Sequence, residues 1–166
     1  MRMILTSAAI LSALAFPPLI EAAPTAPVRQ GPKAIDPAEN GIGRWIPDVE
    51  FISVKGKRGR LSDFKSGKAL VVAFTGASCP VSKRFAPTLA ALEKAYAKQG
   101  VSFLFVDPIA VKGAREDLAK LARNLGFAGP AVVDDEESLA LGLGARTTTD
   151  VFVLNAARTL LYRGPV

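Results

Sequence analysis

Two uninterrupted apolar runs, Ala69-Leu70-Val71-Val72-Ala73-Phe74-Thr75 and Val101-Ser102-Phe103-Leu104-Phe105-Val106, constrain the fold of this chain more than any other feature. Neither alternates polar with apolar residues, as a strand with one wet face does, so each is a strand covered on both faces. Between them, residues 80–98 place Phe85, Leu89, Leu92 and Tyr96 at helical spacing, and Gly100 stops the helix. Strand, helix, strand in this order is a parallel unit with a right-handed crossover. A second helix follows over 113–125, with Leu118, Leu121, Ala122 and Leu125 on one face and Gly126 at its end. Ala131–Val133 is a short strand, 136–143 a short helix, and 151–155 with 159–163 a closing hairpin. Upstream, Val49–Val54 alternates, the chain turns at Gly56 and Gly59, and Arg60–Phe64 returns as the partner strand. Trp45 and Tyr96 are expected in the core. The predicted architecture is α/β, a central mixed sheet flanked by helices with an N-terminal β-hairpin.

The same residues limit the chemistry. Hydrophobic residues are 49% of the 166 and charged residues 22%, which suits one ordinary domain with a real core. There is no histidine and only one cysteine. A Ser-His-Asp or Cys-His catalytic unit, a His-held metal or haem, an internal disulfide and a cysteine-based metal site are all excluded within one chain. No cofactor and no metal are expected. The net charge is +6, but the basic residues are scattered. Their densest run, Lys55-Gly56-Lys57-Arg58-Gly59-Arg60, falls on the hairpin turn and has no aromatic residues interleaved for bases to stack on, so nucleic acid is not an expected partner. Asp134-Asp135-Glu136-Glu137 is the charged start of a helix. Gly41-Ile42-Gly43 and Gly142-Leu143-Gly144 are too short for a phosphate loop.

The N-terminus sets the compartment. Arg2 precedes an apolar stretch from Ile4 to Phe16, then Pro17-Pro18 and the small residues Ala22, Ala23, Thr25 and Ala26. A short positive region, an apolar segment and a small-residue cleavage zone describe a secretory signal peptide over 1–23. The apolar run is shorter than the roughly 20 residues that span a bilayer, so no stable membrane insertion is expected after cleavage. Pro24, Pro27, Pro32 and Pro37 mark a linker over 24–40, and the domain occupies 41–166. The mature protein is expected to be periplasmic or secreted.

One thiol remains for nucleophilic chemistry. Cys79 stands in Thr75-Gly76-Ala77-Ser78-Cys79-Pro80-Val81-Ser82-Lys83-Arg84, between the end of a buried strand and the start of a helix. Pro80 suits a first helical turn, where its missing N–H would be unpaired anyway. Free amides and the positive end of the helix dipole favour a thiolate at that position. Lys83 and Arg84 add positive charge one turn on, and Ser82 can offer its hydroxyl to the sulfur. A structural cysteine belongs inside an apolar run, so Cys79 is read as reactive.

Cys79-x-x-Ser82-Lys83, with Pro87 further along the helix, resembles the thioredoxin active-site helix. Gly43-Arg44-Trp45-Ile46-Pro47-Asp48-Val49 and Leu61-Ser62-Asp63-Phe64 are similar to the opening of extracytoplasmic redoxins of the alkyl hydroperoxide reductase/thiol-specific antioxidant branch. The resemblance covers about residues 41–165 and implies a thioredoxin-like fold whose C-terminal helix is missing from this chain. It implies a thiol-dependent oxidoreductase acting on a thiol or disulfide protein, a low-molecular-weight thiol or a peroxide. Its implied site is Cys79, Ser82, Lys83 and Thr149, with Thr149 opposite Cys79 and its backbone pairing with the substrate.

The departures define the expected mechanism. Ser82 stands where the family has its second cysteine, Ala73 where thioredoxin buries an acid, Ser78 where it has a tryptophan, and Gly76 where peroxiredoxins have threonine. With one thiol, an adduct on Cys79 awaits an external thiol. Two other readings fit the same residues: a thioredoxin-fold binding domain without catalysis, and part of a longer exported electron-transfer protein.

Overall fold

The computed structural model describes residues 36–166, so the expected signal peptide and most of the linker lie outside the described residues. Residues 36–43 turn back on the domain. The Asn40 side-chain amide donates to the Arg163 carbonyl (3.3 Å), and the Gly43 N–H to that of Leu160 (2.8 Å). Two short strands, β1 (Glu50–Ile52) and β2 (Arg58–Arg60), form the antiparallel N-terminal hairpin. The second strand is therefore Arg58–Arg60, and Leu61–Phe64 is a 3-10 turn instead of the expected return strand. Asp48 explains the difference: its carboxylate accepts the Ser62 N–H and hydroxyl, both at 2.8 Å, and draws the chain into a turn there.

The two apolar runs become the middle of a five-stranded sheet. β3 (Ala69–Phe74) pairs in parallel with β4 (Val101–Asp107), and β4 with β5 (Ala131–Val133). On the other side of β3 lie β6 (Asp150–Asn155) and β7 (Leu160–Pro165), each antiparallel to its neighbour, in the order β5-β4-β3-β6-β7. Successive side chains point to opposite faces. Leu70, Val72, Phe74, Leu104, Val106, Phe152 and Leu154 thus join one buried cluster with Phe51, Leu61 and the helix α3 (Ser138–Leu143). Ala73, Phe103, Phe105 and Val133 join the other, under α1 (Pro80–Tyr96) and α2 (Ala114–Leu125). Helices cover both faces, which is why the central strands carry no polar alternation. Among the described residues, no helix is long and apolar enough to cross a membrane.

α1 buries a different stripe from the one its large residues suggested. Ser82, Ala86, Leu89 and Glu93 face inward, while Phe85 (38%), Leu92 (39%) and Tyr96 (44%) are exposed. Small Ala86 lets the helix lie close to the sheet. The buried Glu93 carboxylate accepts the Ala128 and Gly129 N–H groups at 2.9 and 2.6 Å, fixing the loop before β5. Trp45 is likewise not in the core: it is 60% exposed, with the Arg158 guanidinium 5.0 Å above its ring.

Candidate functional site

β3 delivers the site. Thr75 donates its N–H to the Val106 carbonyl at 2.7 Å, so pairing with β4 continues one residue past Phe74. The chain then turns over Gly76–Cys79, closed by the Cys79 N–H on the Gly76 carbonyl at 3.2 Å, and α1 begins. Cys79 is the N-cap residue of α1, with extended backbone (φ −80°, ψ 119°), and no side chain caps the helix. The first amides of α1 are left to the sulfur. Thr148, in the loop before β6, donates its hydroxyl to Cys79 Sγ at 3.3 Å.

These donors hold the thiol at about 7, against an ordinary value of 9.0. The Ser82 N–H contributes most, then the Thr148 hydroxyl and the Ser82 side chain. Partial burial opposes them and the Val81 N–H adds a little. The thiolate is stabilised because hydrogen bonds to a charged form favour that form. The cations singled out in the sequence are not among these groups; Lys83 and Arg84 are exposed on α1.

Ser82 is buried one turn along α1. Its hydroxyl donates to the Thr148 carbonyl at 2.8 Å. The sulfur competes for that same proton, since a hydroxyl has only one to give. Ser82 and Thr148 therefore lock the two sides of the site together. Thr149, the residue expected opposite Cys79, is occupied elsewhere. Its N–H donates to Thr147 Oγ1 (3.3 Å) and its carbonyl accepts the Val166 N–H (3.1 Å). Three consecutive threonines offer no sequence signal for which one meets the sulfur; the loop conformation selects Thr148.

Asp107 was also missed. It ends β4, the neighbour of the strand that leads to Cys79, and is 1% exposed. Its carboxylate accepts the Ala77 N–H at 2.7 Å and the Ile109 N–H at 2.9 Å. Burial raises its pKa above the ordinary carboxylate value, those two N–H bonds oppose the rise, and the Asp117 charge adds to it. The available signal was a charged residue closing an otherwise apolar strand. Gly76 is packed between these groups. A Cβ there would stand 3.3 Å from the Cys79 Cβ, 3.4 Å from Asp107 Oδ1 and 3.2 Å from Ile109 Cδ1. A side chain at this position would need these neighbours to give by a few tenths of an ångström.

A cavity of about 680 Å³ lies elsewhere, between the hairpin, the end of α2 and the loop before β5, over Phe51, Phe64 and Phe127. It includes no residue of the Cys79 site. Among the described residues, no group of three or more His, Cys, Asp or Glu side chains is placed to hold a metal ion.

The fold has counterparts among known proteins. The thiol-disulfide oxidoreductase ResA of Geobacillus thermodenitrificans is 31% identical over 110 residues, which are 65% of this chain and 61% of that protein. A conserved protein from Geobacillus kaustophilus has a crystal structure with TM-score 0.69 and 28% identity, over 74% of this chain and 68% of that one. The thioredoxin domain of a thiol-disulfide oxidoreductase from Bacteroides vulgatus shares the fold (TM-score 0.62, 20% identity, 74% and 86% covered). The family model described as Redoxin matches residues 42–166. That match runs through every strand of the thioredoxin-like sheet and both sides of the thiol, and the chain belongs to the redoxin family.

Proposed function

We propose that this chain is an exported thiol-disulfide oxidoreductase that works with one cysteine. The observation that carries the reading is Cys79 Sγ at an uncapped helix start, bonded by Thr148, with a hydroxyl in place of a second thiol. The thiolate attacks a disulfide RS–SR′, forming Cys79–S–SR and releasing R′S⁻, which takes a proton from solvent. An external thiolate then attacks the mixed disulfide, and Cys79 leaves again as thiolate. The external thiol is the reductant and is oxidised to the new disulfide. Thr148 and the α1 amides hold the negative charge on sulfur at the start and at the end of the cycle. Disulfide exchange is put ahead of peroxide reduction because glycine stands at position 76, where peroxiredoxins have threonine. Export is inferred from the Arg2, apolar and small-residue pattern; N-terminal sequencing of the secreted product should start between Ala23 and Pro27.

Ser82 decides the mechanism. A serine hydroxyl supplies no thiolate at neutral pH, so the native adduct persists until an outside thiol arrives. In insulin reduction with dithiothreitol the native chain should be slow, and with oxidised glutathione it should accumulate an adduct at Cys79 by mass spectrometry. Ser82→Cys should reverse both. Equal insulin rates for the two proteins would defeat the one-cysteine cycle. Absence of an adduct, with Cys79 converted to sulfenate by peroxide, would replace disulfide exchange with peroxide chemistry.

A further inference from the structure

The densest basic run of the chain, Lys55-Gly56-Lys57-Arg58-Gly59-Arg60, takes no part in the thiol chemistry. It turns the N-terminal hairpin at the β5 edge of the sheet, where Ser53 pairs with Val132 and the Val54 N–H donates to the Ala131 carbonyl at 2.8 Å. β5 lies two strands from β3, whose end leads to Cys79. Under the turn opens the cavity of about 680 Å³. Small residues make the room for it. α2 faces it with Ala119 and Ala122, and Gly126 ends that helix in the left-handed region (φ 72°). Gly129 brings the next loop so close to β4 that a Cβ there would collide with the Phe103 carbonyl.

The floor of this cavity is apolar and its rim carries one sign of charge. Phe51 and Phe64 stack on one side with ring centroids 6.3 Å apart, and Phe127, stacked on Phe105 at 3.7 Å, lies on the other. Lys55, Lys57 and Arg58 border it from the hairpin and Arg123 from α2, all four exposed. Asp63 is the only acid in the lining, and its Oδ2 accepts the Arg60 N–H at 2.8 Å. Among the described residues the ion pairs are made by Arg60, Arg115 and Arg158, and by none of the four rim cations. Like charges around a low-dielectric hollow focus a positive potential in it. Pockets of about 300–1,000 Å³ with an apolar lining and a few polar groups are the size and kind that take small organic ligands.

We propose that this cavity is a binding site for a small aromatic anion, an apolar ring system carrying one acidic group. The rings lie over Phe51, Phe64 and Phe127, and the acidic group meets the cations of the rim. Burial of the rings supplies the affinity. The rim supplies the choice of charge, because an acid finds unpaired cations there and a base finds only repulsion. A neutral analogue forfeits the second contribution. The site stands apart from Cys79, so it does not depend on the thiol being reactive.

The test uses two dyes that fluoresce on leaving water: 8-anilinonaphthalene-1-sulfonate, and N-phenyl-1-naphthylamine, which has the same rings without the acid. The folded chain should bind the sulfonate saturably and about tenfold more tightly than the neutral dye. In ¹H–¹⁵N spectra the sulfonate should shift the amides of the hairpin turn and of residues 119–131. Lys57→Glu combined with Arg123→Glu, checked for fold by circular dichroism, reverses one charge on each wall. It should weaken the sulfonate about tenfold, and leave both the neutral dye and the pH profile of Cys79 alkylation by iodoacetamide unchanged. Arg123→Gln alone carries the test if the double variant does not fold. No saturable binding, equal affinity for the two dyes, or a sulfonate affinity indifferent to the charge reversals would each overturn the proposal. So would amide shifts confined to α1, whose exposed Val81, Phe85, Leu92 and Tyr96 offer the dyes another apolar surface.

Discussion

α1 and α3 both begin where a strand of the same sheet has just ended, yet they use their free N-terminal amides in opposite ways. At α3 the donors are consumed. The buried Asp134 carboxylate accepts the Leu139 N–H (3.1 Å), the Ala140 N–H (2.8 Å) and the Ser138 hydroxyl (3.4 Å). At α1 no side chain caps the helix, and the Val81 and Ser82 amides act on the Cys79 sulfur. A carboxylate that fills a helix start makes a permanent structural bond. A thiol in its place makes a bond whose strength depends on whether it carries a proton, so the stabilisation becomes available to chemistry. The difference lies less in the helices than in the residue that precedes each one.

The widest separation between the two helix starts comes from removing each occupant. Cys79→Ser should abolish alkylation, adduct formation and disulfide exchange to background, while leaving thermal stability near the native value. Asp134→Ala should do the converse. Losing three hydrogen bonds at a buried helix start should cost about 1–3 kcal/mol, seen as a lower unfolding midpoint, with the Cys79 alkylation midpoint unmoved. If Asp134→Ala shifted the thiol midpoint as far as a site substitution does, the two helix starts would not be independent.

A smaller effect sharpens the α1 side alone. Thr148→Val keeps the shape of the side chain and removes the hydroxyl on Cys79 Sγ. The thiol midpoint should rise from about 7 by less than one unit, since the larger Ser82 amide contribution remains. Thr149→Val, one residue on, touches no sulfur and should leave the midpoint where it is. Equal shifts from the two would return Thr149 to the site and contradict the loop conformation described above.

Most of the fold was legible because burial on both faces writes itself directly into composition: β3 and β4 are the two apolar runs, and the parallel crossover between them follows. The position of Cys79 at a helix start was legible because Pro80 marks the first turn and the preceding strand ends abruptly. What escaped were matters of rotation and of long-range pairing. The spacing of Phe85, Leu89, Leu92 and Tyr96 fits a helical face as well as the true stripe does, and only Leu89 belongs to both. Which threonine reaches the sulfur depends on how the Gly144–Thr149 loop closes over α1, a contact 69 residues apart in the chain. Asp107 acquires its role only when β4 is laid beside β3, where local sequence says only that a charged residue ends a strand.

The smallest expected effect is on stability, and its sign is fixed. The Cys79 thiol is depressed from 9.0 to about 7 in the folded protein, by the Ser82 amide first and then by Thr148. A depressed acid binds its proton less tightly in the folded state than in the unfolded one, so the folded state gains as pH rises. The contribution is absent below about 7, grows between about 7 and 9, and is complete above that. Other groups titrate over the same range, but they are common to the native chain and Cys79→Ser. The native chain should therefore gain in unfolding free energy over Cys79→Ser as pH goes from 7 to 9, measured by urea denaturation at fixed ionic strength. Solvent around the partly exposed sulfur keeps the gain modest. At α3, by contrast, Asp134→Ala should differ from the native chain by a constant amount across the same window. A difference between native and Cys79→Ser that stayed flat, or fell with pH, would mean that the α1 amides do not hold the thiolate, and the contrast between the two helix starts would collapse.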